Sequence, residues 1–120
     1  MSEQEISARI ALAVGSLNNV RLFRNTTGSA WQGQFLEKRG DITLIKNARY
    51  TNFGLAKGSG DFIGLLDDGR FLSLEIKTET GRISPEQKAW LAMVTKFGGL
   101  AGIVRSEQEA IQLITTGEIK

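Results

Sequence analysis

The stretch that decides the fold is residues 60–77, which read GDFIGLLDDGRFLSLEIK. Two apolar runs, 61–66 and 70–77, flank Asp67-Asp68-Gly69, a composition typical of a three-residue hairpin loop ending in glycine. Pairing about this loop centres the register on residue 68, because residues 61 and 75 lie at equal distances from it. The pattern therefore predicts an antiparallel hairpin in which Asp61 lies opposite Glu75.

Directly opposed residues of a hairpin project from one face, with Cβ atoms about 5 Å apart. Lys77 belongs to that face, whereas Ile76 points the other way. Two carboxylates at this distance would repel by about 3 kcal/mol at an effective dielectric of about 20, which favours a shared proton or a cation between them. Oxygen ligands suit Mg²⁺ or Mn²⁺. A lysine beside such an ion can orient a water for attack on phosphorus or, as the neutral amine, deprotonate it, so the pattern indicates a metal-dependent phosphodiesterase.

Length and composition limit the class of protein. The chain has 120 residues, 41% of them hydrophobic and 23% charged, which predicts a single globular domain over residues 1–120. Because it contains neither cysteine nor histidine, disulfides, thiol nucleophiles and histidine-based catalysis are excluded. We see no signal peptide and no apolar run long enough to span a membrane, so we expect a cytoplasmic protein.

The charges are unevenly distributed along the chain. Residues 20–58 carry seven basic and two acidic side chains, whereas residues 59–79 carry two basic and five acidic ones. A basic region that leads into an acidic site suits a polyanion whose phosphates are held while a cation occupies the site. An ordinary solvated surface of mixed charge is the other interpretation.

Periodicity and capping signals predict the remaining elements. Residues 25–40 lack clear periodicity and are predicted to form an extended loop. Helices are expected over 3–17, from Ser84-Pro85 to about Phe97, and from Ser106 to near Gly117; further strands are expected over 20–24, 41–45, 48–53 and 100–104, with a turn near Lys46-Asn47. The order of the elements predicts an α/β fold.

Several residues have two interpretations each. Glu3 lies on the apolar stripe of the first helix as a candidate site residue, although acidic residues are also expected at a helix N-terminus. Gln87 either points into the sheet beside Lys77 or satisfies its own helix terminus. Arg24 and Lys57 are candidate phosphate contacts or exposed loop cations. Trp31 stacks on an unpaired base or fills a small core.

The motifs together resemble the VRR-NUC (virus-type replication-repair nuclease) domain of the PD-(D/E)xK superfamily. The similarity covers nearly the whole chain, and its segments are Arg24-Asn25-Thr26-Thr27-Gly28, residues 58–64 (GSGDFIG), residues 69–77 and residues 80–90 (TGRISPEQKAW). One residue departs from the family pattern, because Gly60 stands where a proline usually precedes the aspartate. We expect this glycine to leave the chemistry intact and to make the approach to the strand looser.

The resemblance implies a restriction-endonuclease-like core with a central mixed β-sheet flanked by helices, dependence on Mg²⁺ or Mn²⁺, and cleavage of DNA. It matches Asp61 and Glu75 to the metal ligands, Lys77 to the catalytic lysine, Glu3 to the N-terminal helical acid and Gln87 to the glutamine of the following helix. The Ile76 carbonyl is a further candidate metal ligand, and Arg24, Lys57 and Arg82 are candidate DNA contacts. Standalone members resemble homodimeric enzymes that act on branched DNA such as four-way (Holliday) junctions.

Two alternatives belong to other functional classes. The chain is either a catalytically quiet DNA-binding or assembly module of the same fold, or a nuclease that prefers flaps, ends or single strands. No helix rich in Arg, Asn and Gln is available to read bases, so recognition of DNA shape is favoured over recognition of sequence.

Overall fold

The computed structural model describes all residues from Met1 to Lys120. Its elements, in chain order, are α1 (Glu3–Gly15), β1 (Val20–Arg24), β2 (Gly28–Arg39), β3 (Ile42–Phe53), β4 (Phe62–Leu66), β5 (Phe71–Ile76), α2 (Pro85–Lys96), β6 (Leu100–Val104) and α3 (Glu107–Thr116). The chain divides into two compact units. The α/β unit comprises residues 1–25 and 56–120, and the ribbon unit comprises residues 26–55.

The α/β unit contains a four-stranded mixed sheet with the order β1-β4-β5-β6. Strands β1, β4 and β5 pair antiparallel, whereas β6 pairs parallel to β5. Helix α2 makes the connection between the parallel strands β5 and β6 and packs against both. The α/β fold with a mixed sheet flanked by helices is therefore as predicted.

Strand β5 divides its side chains between two differently covered faces. Leu72, Leu74 and Ile76 are almost fully buried in a core shared with helices α1 and α3. The alternate residues Ser73 and Glu75 are also buried, and both make hydrogen bonds to α2. Because helices cover both faces, β5 reads as a continuous apolar run in which the polar residues stand out.

The predicted register of the central hairpin is confirmed. Phe62 pairs with Leu74 and Ile63 with Ser73, and the Leu66 N–H donates to the Arg70 carbonyl at 2.9 Å. Gly69 closes the loop at φ 90°, a left-handed conformation that glycine adopts without steric cost. The predicted helices and the strands 20–24 and 100–104 are also present, with ends within about two residues of those expected.

The ribbon unit differs from the prediction. Residues 25–40 were expected to form a loop, but most of them form the 12-residue strand β2. The two strands expected over 41–45 and 48–53 are one strand, β3, and Asn47 lies in it at φ 56° beside a register shift. The signal at Lys46-Asn47 therefore marked a β-bulge instead of a turn. Periodicity failed in β2 because all its residues are exposed, so neither face is selected to be apolar throughout.

Candidate active site

The site is centred on Asp61 and Glu75, at the end of the β4–β5 ladder. Asp61 directly precedes β4, and continuing the ladder places it opposite Glu75. The Ile76 N–H donates a 2.7 Å hydrogen bond to Asp61 Oδ2, which holds this carboxylate against β5. Glu75 is only 3% exposed, whereas Asp61 is exposed. The pair thus consists of one buried and one accessible carboxyl group.

The environment of Glu75 opposes its ionisation. Burial, followed by the nearby Asp61 carboxylate, raises the pKa of Glu75 to about 8, although the Lys77 ammonium acts in the opposite direction. A carboxyl group in this position holds its proton at neutral pH unless a positive charge approaches. Oxygen-only donors in such a pair suit a hard cation, and Mg²⁺ is commonly bound by one or two carboxylates with waters and phosphates completing its shell.

Gln87 satisfies its own helix terminus and also points into the sheet, where it contacts Glu75. Its side-chain oxygen accepts from the Ser84 N–H at 2.7 Å, and its backbone N–H donates to Ser84 Oγ at 3.1 Å, which completes a capping box. Its Nε2 group donates to Glu75 Oε1 at 2.8 Å. The start of α2 is therefore joined directly to the buried carboxyl group, and one side chain serves the helix terminus and the site.

The Ile76 carbonyl points to the same side of β5 as Asp61. The Lys77 N–H donates to the Val104 carbonyl of β6 at 3.1 Å. Because the C=O and N–H of a trans peptide point in opposite directions, the Ile76 carbonyl is directed away from β6. This orientation is compatible with the proposed role of Ile76 as a backbone ligand.

Arg105 holds the segment that follows Lys77, a role that the sequence analysis missed. Its Nη1 group donates to the Thr78 carbonyl and, at 2.8 Å, to the Gly81 carbonyl. The Lys77 stem passes close to Gly81, where an added Cβ would lie 3.3 Å from Lys77 Cδ. The only available signal was an arginine directly after β6, and its partners lie 24 and 27 residues away.

Asn25 fixes the approach to Asp61. Its Nδ2 group donates at 2.8 Å to both Ser59 Oγ and the Gly60 carbonyl, and its backbone N–H donates to the Asp61 carbonyl at 2.9 Å. Gly60 is buried, and an added Cβ would lie 2.4 Å from Ser73 Oγ. The expectation that glycine makes this approach looser is therefore wrong, since a side chain at position 60 has no room.

Glu3 is less closely integrated than the other acidic candidates. It is exposed in the first turn of α1, and it has the smallest of the effects that raise the pKa of Glu75. Asp61, Glu75 and Glu3 do not form a cluster that holds a metal ion by itself. The structure therefore brings two of the three predicted carboxylates together, because α1 packs with α3 whereas Glu75 faces α2.

The candidate DNA contacts are exposed and differ in how firmly they are held. Arg24 donates to Ser7 Oγ at 3.0 Å, and its guanidinium lies 5.1 Å from the centre of the Phe62 ring. Lys57 forms a 3.9 Å ion pair with Glu86 at the start of α2. Arg82 is exposed in the segment before α2. All three cations are exposed, and Arg24 is held by a hydrogen bond and by its contact with the Phe62 ring.

Comparison with known families identifies the chain. The model of the VRR-NUC domain matches residues 3–108, which include Asp61, Glu75, Lys77 and Gln87. The chain therefore belongs to the VRR-NUC family and is a nuclease domain of the PD-(D/E)xK type. No curated protein matches the chain. None of the three helices has the length and apolar character needed to cross a membrane.

Proposed function

We propose that this VRR-NUC protein is a metal-dependent DNA endonuclease that acts as a homodimer on branched DNA such as four-way junctions. The observation that carries the proposal is the buried Glu75 opposite Asp61, with Gln87 bonded to Glu75 and the charge of Lys77 acting on it. A structural ion pair does not explain this arrangement, because it places two acids together at a cost in free energy.

The residues at the site fit Mg²⁺ or Mn²⁺. Asp61, Glu75 and the Ile76 carbonyl would hold the ion, with Glu3 as a weaker addition near the pair. When bound, the ion would lower the pKa of a coordinated water and neutralise charge on the phosphate oxygens. Binding would also displace the proton that burial keeps on Glu75, so ion affinity should increase with pH.

The chain's own groups have distinct tasks in this proposal. The Ile76 N–H orients Asp61, and Gln87 Nε2 orients Glu75, so neither carboxylate has to be ordered when substrate arrives. Lys77 orients the attacking water through its ammonium group or, as the neutral amine, accepts its proton. Arg24, Lys57 and Arg82 contact backbone phosphates and position the DNA.

The test compares metal-dependent cleavage by single-residue variants. End-labelled four-way junction, splayed arm, duplex and single strand are incubated with Mg²⁺, Mn²⁺ or EDTA. Asp61→Asn, Glu75→Gln and Lys77→Ala are each expected to reduce the cleavage rate by about 10³-fold or more, in the range seen for loss of a main catalytic group. Paired cuts confined to the junction are the expected wild-type result.

Matched controls separate the site from general charge effects. Glu79→Gln and Lys88→Ala remove exposed charges from neighbouring segments and should retain wild-type cleavage. Each site variant should still bind DNA in EDTA. Full cleavage by any of the three site variants would contradict the assignment of the site. Cleavage of flaps, ends or single strands would support nuclease activity but contradict the proposed preference for junctions.

One observation favours a second candidate function. The carboxylates of Asp61, Glu75 and Glu3 do not lie close enough together to form a three-ligand metal site. This geometry is expected for a catalytically quiet module that binds DNA or supports an assembly. Junction binding that is equal in Mg²⁺ and EDTA, without cleavage of any substrate, would support this alternative and reject the enzyme.

A further inference from the structure

One face of the ribbon unit, the amide face, carries amide and basic side chains in its middle. Its members are Gln32, Gln34, Lys46 and Arg49. Gln32 pairs with Arg49 and Gln34 pairs with Lys46, and directly paired residues project from the same side of a ladder. All four residues are exposed. The amide face is therefore accessible to a ligand.

The β-bulge at Asn47 places both cations on the amide face. Lys46 and Arg49 are three positions apart, and residues at an odd spacing in a regular strand project from opposite sides. The register shift between Gln32 and Gln34 inserts one extra residue of β3, which returns Arg49 to the side of Lys46. Asn47 has φ 56°, a left-handed conformation that asparagine tolerates better than most residues. Without the bulge, Arg49 would lie on the opposite face of the ribbon.

Gly33 allows the two strands to approach closely at the bulge. A Cβ added to Gly33 would lie 2.7 Å from the Lys46 carbonyl oxygen and 3.3 Å from Ala48 Cα, so a side chain at this position would force the strands apart. A cavity of about 360 Å³ at the bulge is lined by Gln32, Gly33, Gln34, Asn47 and Arg49. Three side-chain amides and one guanidinium group therefore border the same cavity.

The cations of the amide face have no carboxylate partner. Arg39, near the turn between β2 and β3, pairs with Glu37 at 2.5 Å. Neither Lys46 nor Arg49 forms an ion pair within the chain. Glu37 and Asp41 are the only acidic residues of the ribbon unit, and both lie near that turn. The middle of the amide face is therefore positive and complements an anionic ligand.

The amides favour base edges over phosphates as the groups that are bound. Phosphate oxygens only accept hydrogen bonds, so the carbonyl oxygen of a Gln or Asn side chain gains nothing from them. Base edges in the major groove present donors and acceptors side by side, which match an amide to adenine and a guanidinium group to guanine. Thr51 Oγ1 donates to Gln32 Oε1 at 3.2 Å and so orients one of these amides before a ligand arrives.

The dimensions of the ribbon fit the major groove of duplex DNA. Strands β2 and β3 pair only with each other, so the ribbon is two strands wide, with the strands about 4.8 Å apart. The major groove is about 12 Å wide and admits a two-stranded ribbon. Along the chain, the ribbon unit lies between Arg24 and Lys57, two of the candidate phosphate contacts. The ribbon is thus joined to the nuclease unit through segments that carry candidate DNA contacts.

We propose that the amide face enters the major groove of a duplex DNA arm and contacts base edges, which gives this nuclease a sequence preference in addition to its preference for DNA shape. Arg49 suits a guanine, and the amides of Gln32, Gln34 and Asn47 suit adenines, whereas Lys46 suits a neighbouring phosphate. The inference rests on the proposed function, because the DNA substrate is the occupant. The ribbon supplies the base-reading element that no helix of the chain supplies.

Selection of bound DNA from randomised libraries tests the proposal. Linear duplexes and four-way junctions, each with a randomised segment in one arm, are selected in EDTA so that no DNA is cleaved. The wild type should enrich a defined motif. Arg49→Ala and Gln34→Ala should each lose the preference at one position of this motif and bind it about tenfold more weakly, the discrimination typical of one base contact. No enrichment from either library, or an unchanged motif with both variants, would overturn the proposal.

Two lysines on opposite faces of the ribbon provide a matched control. Lys38 pairs with Thr43, which lies three residues from Lys46 in a regular part of β3, so Lys38 and Lys46 project from opposite sides. Lys46→Ala should weaken binding of all sequences to a similar extent and reduce the salt dependence of binding by about one phosphate contact. Lys38→Ala should change neither. Equal effects of the two substitutions would contradict the placement of DNA on the amide face.

Methylation of guanine N7 separates groove contacts from phosphate contacts. N7 lies in the major groove and accepts from arginine, so methylating the guanines of the enriched motif should weaken wild-type binding but not that of Arg49→Ala. Duplex RNA of the same sequence should bind weakly, because side chains cannot read its deep and narrow major groove. Equal wild-type binding of methylated and unmethylated DNA, or of the RNA and DNA duplexes, would overturn the proposal.

Cleavage in Mg²⁺ distinguishes failure of this proposal from failure of the proposed nuclease activity. Cuts by the wild type near the enriched motif, with a relaxed choice of sites by Arg49→Ala, would support both proposals. A wild type that selects a motif in EDTA but cuts no substrate would contradict the nuclease and support the base-reading face. Cleavage without sequence preference, unaffected by Arg49→Ala, would contradict the base-reading face and support the nuclease.

Discussion

The α/β unit and the ribbon unit place their apolar side chains in opposite environments. In the α/β unit, Ile10, Leu72 and Leu74 are completely buried, and the same burial raises the pKa of Glu75. In the ribbon unit, Trp31 and Phe35 are two-thirds exposed on a sheet of only two strands. Burial can shift the pKa of a side chain, as it does for Glu75. An exposed apolar face contributes to stability only when another surface packs against it.

The largest expected difference between the units is the cost of removing an apolar side chain. Leu74→Ala should lower the free energy of unfolding of the α/β unit by about 2–5 kcal/mol, because it leaves a cavity in a fully buried site. Leu36→Ala in the ribbon should change it by less than about 0.5 kcal/mol, because the Leu36 side chain is 59% exposed. Urea titrations followed by the fluorescence of Trp90, in a Trp31→Phe background, measure both values.

Equal costs at the two leucines would remove the distinction between the units. Similar losses would mean that residue 36 is covered within a single chain, contrary to its 59% exposure. A small loss for Leu74→Ala would mean that the core collapses around the missing atoms.

A smaller effect is expected at Gly60, where close packing serves the site. Gly60→Ala should destabilise the α/β unit by about 1–3 kcal/mol, because the new Cβ collides with Ser73 Oγ and the Leu74 carbonyl and no open space is available. The matched control is Gly15→Ala, whose Cβ meets nothing within 4 Å and which should be neutral or stabilising. Thermal unfolding of both variants checks this, and a neutral Gly60→Ala would show that the approach to Asp61 tolerates a side chain.

A further expected effect is a dependence of stability on pH that arises in the α/β unit. The pKa of Glu75 is raised from 4.5 to about 8, so the folded chain binds a proton that the unfolded chain releases between these values. The contribution of Glu75 to the free energy of unfolding has its full value below about pH 4.5 and decreases as the pH rises towards 8. In EDTA, the Tm of the wild type should therefore fall by several degrees relative to that of Glu75→Gln over this range.

Two controls accompany the pH measurement. Glu79→Gln replaces an exposed carboxyl group nearby and should follow the wild-type curve. Phe35→Asp in the ribbon should not alter the difference between wild type and Glu75→Gln. Parallel curves for wild type and Glu75→Gln would show that Glu75 is ionised in the folded chain.

The central hairpin was predictable from the sequence because its signals are local. The loop Asp67-Asp68-Gly69 determines the register, and the period of two places Lys77 beside Glu75. The helix that begins after Ser84 was also predictable, since the capping residues are adjacent to one another in the chain. The catalytic roles assigned to Asp61, Glu75, Lys77, Glu3 and Gln87 remain predictions.

The ribbon was not predictable, because its strands lack the feature from which strands are usually recognised. Periodicity identifies a strand when one face is buried, and β2 has no buried residue. The bulge at Asn47 shifts the register within β3, which gave the appearance of two strands separated by a turn. The exposure of Trp31 also rules out its predicted alternative role in filling a small core of this chain.

By itself, the sequence determined the hairpin register and the helix starts, because turn chemistry and capping act over a few residues. Only the tertiary structure decided that Glu75 is buried, that Gln87 bonds to it, that Gly60 has no room for a side chain and that Arg105 holds the segment after Lys77. These features depend on atoms brought together from distant parts of the chain, and desolvation and close packing exist only after the chain has folded.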